Sequence, residues 1–206
     1  MITKFNKYVN EGVRELMTGK SLDDAKELIE KSPKEQRYPL INKYNLESLY
    51  TEEELDNFLR DTNPTLKFNT GIIKNKFWAI RDAIKEDHTI IRRFSSVTST
   101  AVRRCDIKII KYLIDNGFDI HHSDEWALSL MTIDSDYDKL KLLIDAGAIP
   151  TTAILEIALN NHKYNQDIVD LLFKHASKIA IKHIQRWGHN YRGRFRPKDA
   201  HPTLDE

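Results

Sequence analysis

The feature that most constrains the fold is an internal repeat of about 30 residues. Residues 107–117 and 137–147 carry apolar side chains at matching places, and both segments end in glycine. The matching pairs are Ile110/Leu140, Leu113/Leu143 and Ile114/Ile144. Apolar residues at steps of three and four predict amphipathic helices, and the glycine predicts a left-handed residue that ends each helix.

The repeat continues on both sides of these two segments. The same spacing of apolar residues returns at 77–84 and at 167–173, and a shorter apolar segment precedes each of the four, at 71–73, 101–102, 127–131 and 153–159. A single helix–turn–helix unit cannot bury its apolar face alone, so neighbouring units must stack. The pattern therefore predicts an all-α fold, an α-solenoid of about four repeats.

The segments outside the repeats set the predicted domain organisation. Residues 1–62 are a helical N-terminal extension, 63–176 are the repeats, 177–188 form a capping helix and 189–206 are a basic flexible tail. In the extension, Ser21 is the expected N-cap of a helix that runs to about residue 31. Ser32 and Pro33 predict a second helix start with a capping box, and Pro39 either cuts that helix short or restarts it. Thr51 predicts a third start.

Residues 106–121 resemble the second helix and following turn of an ankyrin repeat, and Trp126 stands where the family's Thr-Pro-Leu-His signature would begin. The period is shorter than the usual 33 residues and that signature is absent, as in the degenerate ankyrin repeats of viral and phage genomes. The resemblance implies a monomeric protein–protein interaction scaffold in the cytoplasm of an infected host cell, with no catalysis and no cofactor. The alternative is a generic α-solenoid.

Residues 1–18 resemble the beginning of many proteins of large tailed phages, in which a short amphipathic leader is removed during head assembly. The tripeptide at the corresponding cleavage site is Val9-Asn10-Glu11, with valine in place of isoleucine or leucine. The second functional hypothesis is therefore a head-packaged accessory protein, present in the virion, whose basic C-terminal end contacts nucleic acid. An amphipathic first helix that caps the solenoid explains the same residues.

Composition excludes several classes of protein. The 32 basic and 31 acidic residues give a net charge of only +1, so no whole-molecule charge favours nucleic acid or membrane. Cys105 is the only cysteine, which rules out an intramolecular disulfide and indicates a reducing compartment. No apolar run approaches the roughly 18 residues that span a bilayer, so no membrane partner is expected.

Three clusters could carry chemistry, and each has a simpler interpretation. Residues 121–125, His-His-Ser-Asp-Glu, lie in a predicted exposed segment, where adjacent side chains need not converge on a metal. Residues 134–138 begin like a calcium loop but have Lys139 where glycine is required, so a helix N-cap explains them. Cys105 is expected to be a half-buried structural thiol without a base to activate it. We predict no catalytic, metal or cofactor site.

The ankyrin resemblance also implies which residues contact a partner, because ankyrin domains bind through the tips of the fingers between repeats and through their first helices. Phe118 occupies a place where alanine is usual, so it is either exposed or fills a gap between repeats. The implied partner-binding residues are Arg92, Arg93, Phe118, His121, His122, Asp124 and Glu125, with Ile149 in the third finger.

The C-terminal end is basic, whereas the chain as a whole is nearly neutral. Between Asp170 and Asp199 there is no acidic residue, and an apolar stripe through Ala180 and Ile184 is expected to seal the last repeat. Basic residues interleaved with aromatics suit contact with nucleic acid or with an acidic surface, and a solvated capping helix is the third interpretation. The candidate contact residues are Lys174, Lys178, Lys182, Arg186, Arg192, Arg194 and Arg196.

Overall fold

The computed structural model of the chain describes residues 22–93 and 97–187, and this part of the chain is helical throughout, with no β-strand. The all-α prediction is confirmed. The helices are α1 Leu22–Lys31, α2 Lys34–Lys43, α3 Glu52–Arg60, α4 Pro64–Lys74, α5 Phe77–Glu86, α6 Ile90–Arg93, α7 Thr98–Arg104, α8 Ile107–Asp115, α9 His122–Asp134, α10 Tyr137–Asp145, α11 Thr152–Asn160, α12 Gln166–His175 and α13 Lys178–Trp187, with a 3-10 turn at Glu47–Leu49.

The chain divides into two compact units. Unit 1 comprises the described residues up to Gly71 together with Trp78–His88, and unit 2 comprises Ile72–Phe77 and the described residues from Thr89 onward. In unit 1, α2 packs against both α1 and α3. Two apolar clusters fill this unit, one around Ile29 and Ile41 and the other around Leu59.

Helix starts in unit 1 follow the predicted capping chemistry in one case and depart from it in another. Thr51 and Glu54 form a reciprocal capping box, and the backbone N–H of Thr51 donates to Glu54 Oε2 over 2.8 Å, which lowers the pKa of the Glu54 carboxyl. The capping box predicted at Ser32 is wrong, because the Ser32 hydroxyl donates to the carbonyl of Leu28, 2.9 Å away. Pro33 then occupies the N-cap of α2 without a side-chain cap.

The predicted break at Pro39 is also wrong, since α2 continues through it to Lys43. A proline inside a helix removes one backbone donor and crowds the carbonyl four residues earlier. Here Pro39 and Glu35 are both exposed, which places this side of α2 at the surface. The residues that follow, Leu40 and Ile41, are buried and hold the second half of α2 in place.

Unit 2 is built from two rows of stacked helices. The first row runs α7–α9–α11–α13 and the second runs α8–α10–α12, each helix packing against the next in its row. The apolar positions that match between repeats meet in this stack: Ile110, Leu113, Leu140 and Leu143 are all buried. Gly117 and Gly147 follow α8 and α10 with φ values of +88° and +104°, which confirms the predicted left-handed stops.

A recurring hydrogen bond ties each repeat of unit 2 to the one before it. The carbonyls of Ile72, Val102 and Thr132 lie near the ends of successive first helices, at intervals of 30 residues. Each accepts a hydrogen bond from a side chain of the following repeat. The donors are the Cys105 thiol at 3.6 Å, Lys139 Nζ at 2.9 Å and Asn161 Nδ2 at 2.8 Å. The last carbonyls of a helix lack the partner four residues later, so these bonds add a donor at each helix end. The carbonyl of Thr132 also accepts from the backbone N–H of Ser135 over 3.3 Å.

No helix in the described part of the chain combines the length and the apolar character needed to cross a bilayer.

Candidate interaction surface

Three segments of unit 2 precede the regular parts of the first-row helices α7, α9 and α11. We call them fingers: finger 1 is residues 89–93, finger 2 is residues 116–125, which includes the left-handed turn at the start of α9, and finger 3 is residues 146–151. In finger 1, Ile90 and Ile91 are buried and anchor the short helix α6, while Arg92 and Arg93 are exposed. Two candidate binding residues are therefore placed at the surface by apolar neighbours.

Phe118 in finger 2 is not available to a partner, because its side chain is only 5% exposed. After the left-handed Gly117, the backbone N–H of Phe118 donates to the carbonyl of Leu113 over 3.0 Å, which turns the aromatic ring into the core. Ala148 makes the same bond to Leu143 one repeat later and is also buried. The prediction that Phe118 is exposed to a partner is therefore wrong.

The prediction that Glu125 contacts a partner is also wrong, since this residue is buried. Its Oε1 lies 2.6 Å from His121 Nδ1, and its Oε2 is enclosed without a hydrogen-bond partner among the described residues. The side chain of His121 is about half exposed, at 53%, whereas that of Glu125 is 10% exposed. Glu125 therefore holds the His121 ring in position from inside the finger and is not presented to solvent.

The beginning of α9 has an unusual backbone. Ser123, Asp124 and Glu125 all have positive φ, at 55°, 55° and 62°. Non-glycine residues in this left-handed region cost about 1–2 kcal/mol each. The turn directs Glu125 inward and leaves Asp124 and the following Trp126 exposed. Of the candidates in this finger, His121 and Asp124 are thus exposed, and His122 is partly exposed.

Trp126 is a surface residue that the list of implied binding residues omitted. It is 47% exposed at the start of α9, in the first row of helices. The sequence did single out this position, because Trp126 stands at the place where the ankyrin signature would begin. Ile149, at the tip of finger 3, is 55% exposed as expected. The exposed side chains of finger 2, finger 3 and the start of α9 therefore include one large aromatic residue, Trp126, and one aliphatic residue, Ile149, among polar ones.

The clusters considered for chemistry have structural roles here. Asp136 accepts from the backbone N–H of Lys139 over 3.1 Å as the N-cap of α10, and Asp134 pairs with Arg103. Cys105 is 1% exposed, deeper than the predicted half-buried position. Burial, together with the nearby Asp106 carboxylate, raises the pKa of the Cys105 thiol to about 12. Within residues 22–93 and 97–187, no group of three or more metal-ligating side chains could hold a metal ion.

The basic C-terminal end presents its charges to solvent. Ala180 and Ile184 of α13 are buried where this helix packs against α11. The four candidate residues within the described part of the chain are all exposed: Lys174, Lys178, Lys182 and Arg186. Arg192, Arg194 and Arg196 lie outside the described residues, as does the Val9-Asn10-Glu11 tripeptide.

Comparison of the chain with protein-family models, with curated proteins and with solved structures finds no significant match.

Proposed function

We propose that the chain is a protein-interaction scaffold of the ankyrin type, and that its partner contacts the fingers and the start of α9 in unit 2. The observation that carries this proposal is Trp126, a large aromatic side chain that stays about half exposed on a helix whose other face is buried. Tryptophan is among the residues that most often dominate the energy of protein–protein interfaces, so its exposure on an ordered surface favours a binding role.

The surroundings of Trp126 support the same interpretation. Asp124 and His121 are exposed beside it in sequence, and finger 1 adds the two exposed arginines Arg92 and Arg93. An apolar anchor among polar groups of both charges matches the usual arrangement of a protein interface, in which a desolvated centre is surrounded by a polar rim. The hydrogen bonds between repeats hold the row of first helices in a fixed arrangement, which lowers the entropy lost on binding.

The proposal is tested by affinity co-purification of the full chain and two double variants from extract of the source cells. Trp126→Ala with Asp124→Ala removes the anchor and an adjacent carboxylate. Tyr137→Ala with Asp138→Ala is the matched control, since it removes an exposed aromatic residue and an adjacent carboxylate from the second row of helices.

We expect a discrete protein to co-purify with the wild type and the control, and its Kd to rise at least 30-fold for the Trp126/Asp124 variant, which corresponds to about 2 kcal/mol. Equal binding of that protein by all three chains would show that this surface is not where the partner lies.

A further inference from the structure

Four exposed basic residues lie close together in sequence at the C-terminal end of the described part of unit 2, and we call them the basic face: Lys174 at the end of α12, and Lys178, Lys182 and Arg186 on α13. We propose that the basic face binds the phosphate backbone of a single-stranded nucleic acid. This site is separate from the fingers, so it adds a second binding activity to the proposed scaffold.

The packing of α13 fixes which way its charges point. Ala180 and Ile184, four residues apart, are 3% and 0% exposed and mark the side of α13 that is buried. Lys178, Lys182 and Arg186 also follow at steps of four residues, on the exposed side. Each such step advances about 6 Å along a helix, so the three cations span about 12 Å. A regular row of cations of this length can follow several consecutive phosphates.

The basic face has no acidic ion-pair partner within the part of the chain that the structure describes. No acidic residue occurs between Asp170 and Asp199, and none of the four basic side chains forms an ion pair with any described residue. Some basic side chains elsewhere in unit 2 do form such pairs, as Lys141 does with Asp145 and Arg103 with Asp134. The basic face therefore keeps its full charge for a polyanion.

A nucleic acid fits the basic face better than an acidic protein does. Three of its four cations are lysines, a residue depleted at protein–protein interfaces, whereas protein–nucleic acid interfaces are strongly positive. The sequence that follows interleaves Tyr191 and Phe195 with further arginines. Aromatic side chains beside a positively charged backbone track are the combination that single-stranded binders use, because the bases stack on the rings.

A membrane surface fits less well. An interfacial helix needs a broad apolar face to insert among the lipid chains. Among the side chains described in α13, only Ile179 is a large exposed apolar residue, at 81%, because Ala180 and Ile184 are used in packing.

The test is the affinity of the full chain for a 20-nucleotide single-stranded oligonucleotide, measured by fluorescence anisotropy at several salt concentrations. Four phosphate contacts predict a slope of log K against log salt near −2.8, which is a loss of about 50-fold between 50 and 200 mM salt. Lys178→Ala with Lys182→Ala should halve the slope and weaken binding about 25-fold at 0.1 M salt. Both side chains are exposed, so circular dichroism should be unchanged.

The matched control is Lys108→Ala with Lys111→Ala, which removes two exposed lysines from α8 and changes the net charge equally. We expect its affinity and slope to stay within twofold of the wild type. Equal losses for both double variants would mean a diffuse charge effect and would overturn the site. Polyglutamate of the same length bound as tightly as the oligonucleotide would assign the basic face to acidic proteins instead. Neither result would bear on Trp126 and the fingers.

Discussion

Phe118 and Glu125 differ from the other finger residues in how little of each side chain is exposed. Both were predicted to face a partner, because the resemblance assigns roles by position in the repeat. The volume of Phe118 and the left-handed turn before Glu125 direct these side chains inward. The exposed neighbours, His121 and Asp124, are then the ones that a partner can reach. The buried residues of the finger therefore stabilise its structure, and only its exposed residues can contact a partner.

The role of Phe118 predicts a large effect on stability. Phe118→Ala should lower the free energy of unfolding by about 3–5 kcal/mol, since a buried aromatic ring is lost and a cavity remains. For a chain of this size that corresponds to a fall of about 10 °C in Tm, measured by thermal denaturation. Ile149→Ala, in the exposed tip of finger 3, is the control and should change stability by less than about 0.5 kcal/mol. A Phe118→Ala variant as stable as the control would place the ring outside the core.

At the scale of the helix, a boundary could be predicted where a capping residue or a terminating glycine lies next to it in the sequence. The starts of α3 at Thr51 and α10 at Asp136, and the stops at Gly117 and Gly147, follow from local hydrogen bonds and glycine φ values. The prediction at Ser32 failed because its hydroxyl has a competing acceptor one turn earlier.

The hydrogen bonds between repeats could not be predicted, because the donors differ in type. The carbonyls of Ile72, Val102 and Thr132 are matched by a thiol, an ammonium and an amide in turn. No residue type recurs at the donor position, and one donor, Asn161, comes from a loop that lengthens the last repeat. Such an interaction depends on how the repeats stack, which the period of the sequence does not specify.

Lys139 provides the clearest test of these bonds. Its side chain is 15% exposed and donates to the carbonyl of Val102. Lys139→Met keeps most of the side-chain length but removes the donor, so the free energy of unfolding should fall by about 1–3 kcal/mol in urea denaturation. Lys141→Met, whose lysine is half exposed and pairs with Asp145, should cost less than about 0.5 kcal/mol. Equal losses in both variants would contradict a specific bond between repeats.

At the scale of the molecule, unit 2 carries two unlike surfaces on one stack of helices. The fingers and the start of α9 present Trp126 among polar groups of both charges, whereas the charged side chains that α13 presents are all basic. The helical repeat was evident from residue spacing, and so was the basic end. The exposure of Trp126 was not, because the same residue at the start of a helix can face the neighbouring repeat or solvent.

The most direct test of the scaffold proposal is site-specific photo-crosslinking from one exposed position in a finger and one on the second row of helices. Ile149 in finger 3 and Ile107 at the start of α8 are both exposed isoleucines, at 55% and 41%, so a photoreactive phenylalanine analogue can replace either with little strain. We expect a discrete protein adduct from position 149 and none from position 107. An adduct from position 107 alone, or equal adducts from both, would mean that the partner does not bind at the fingers.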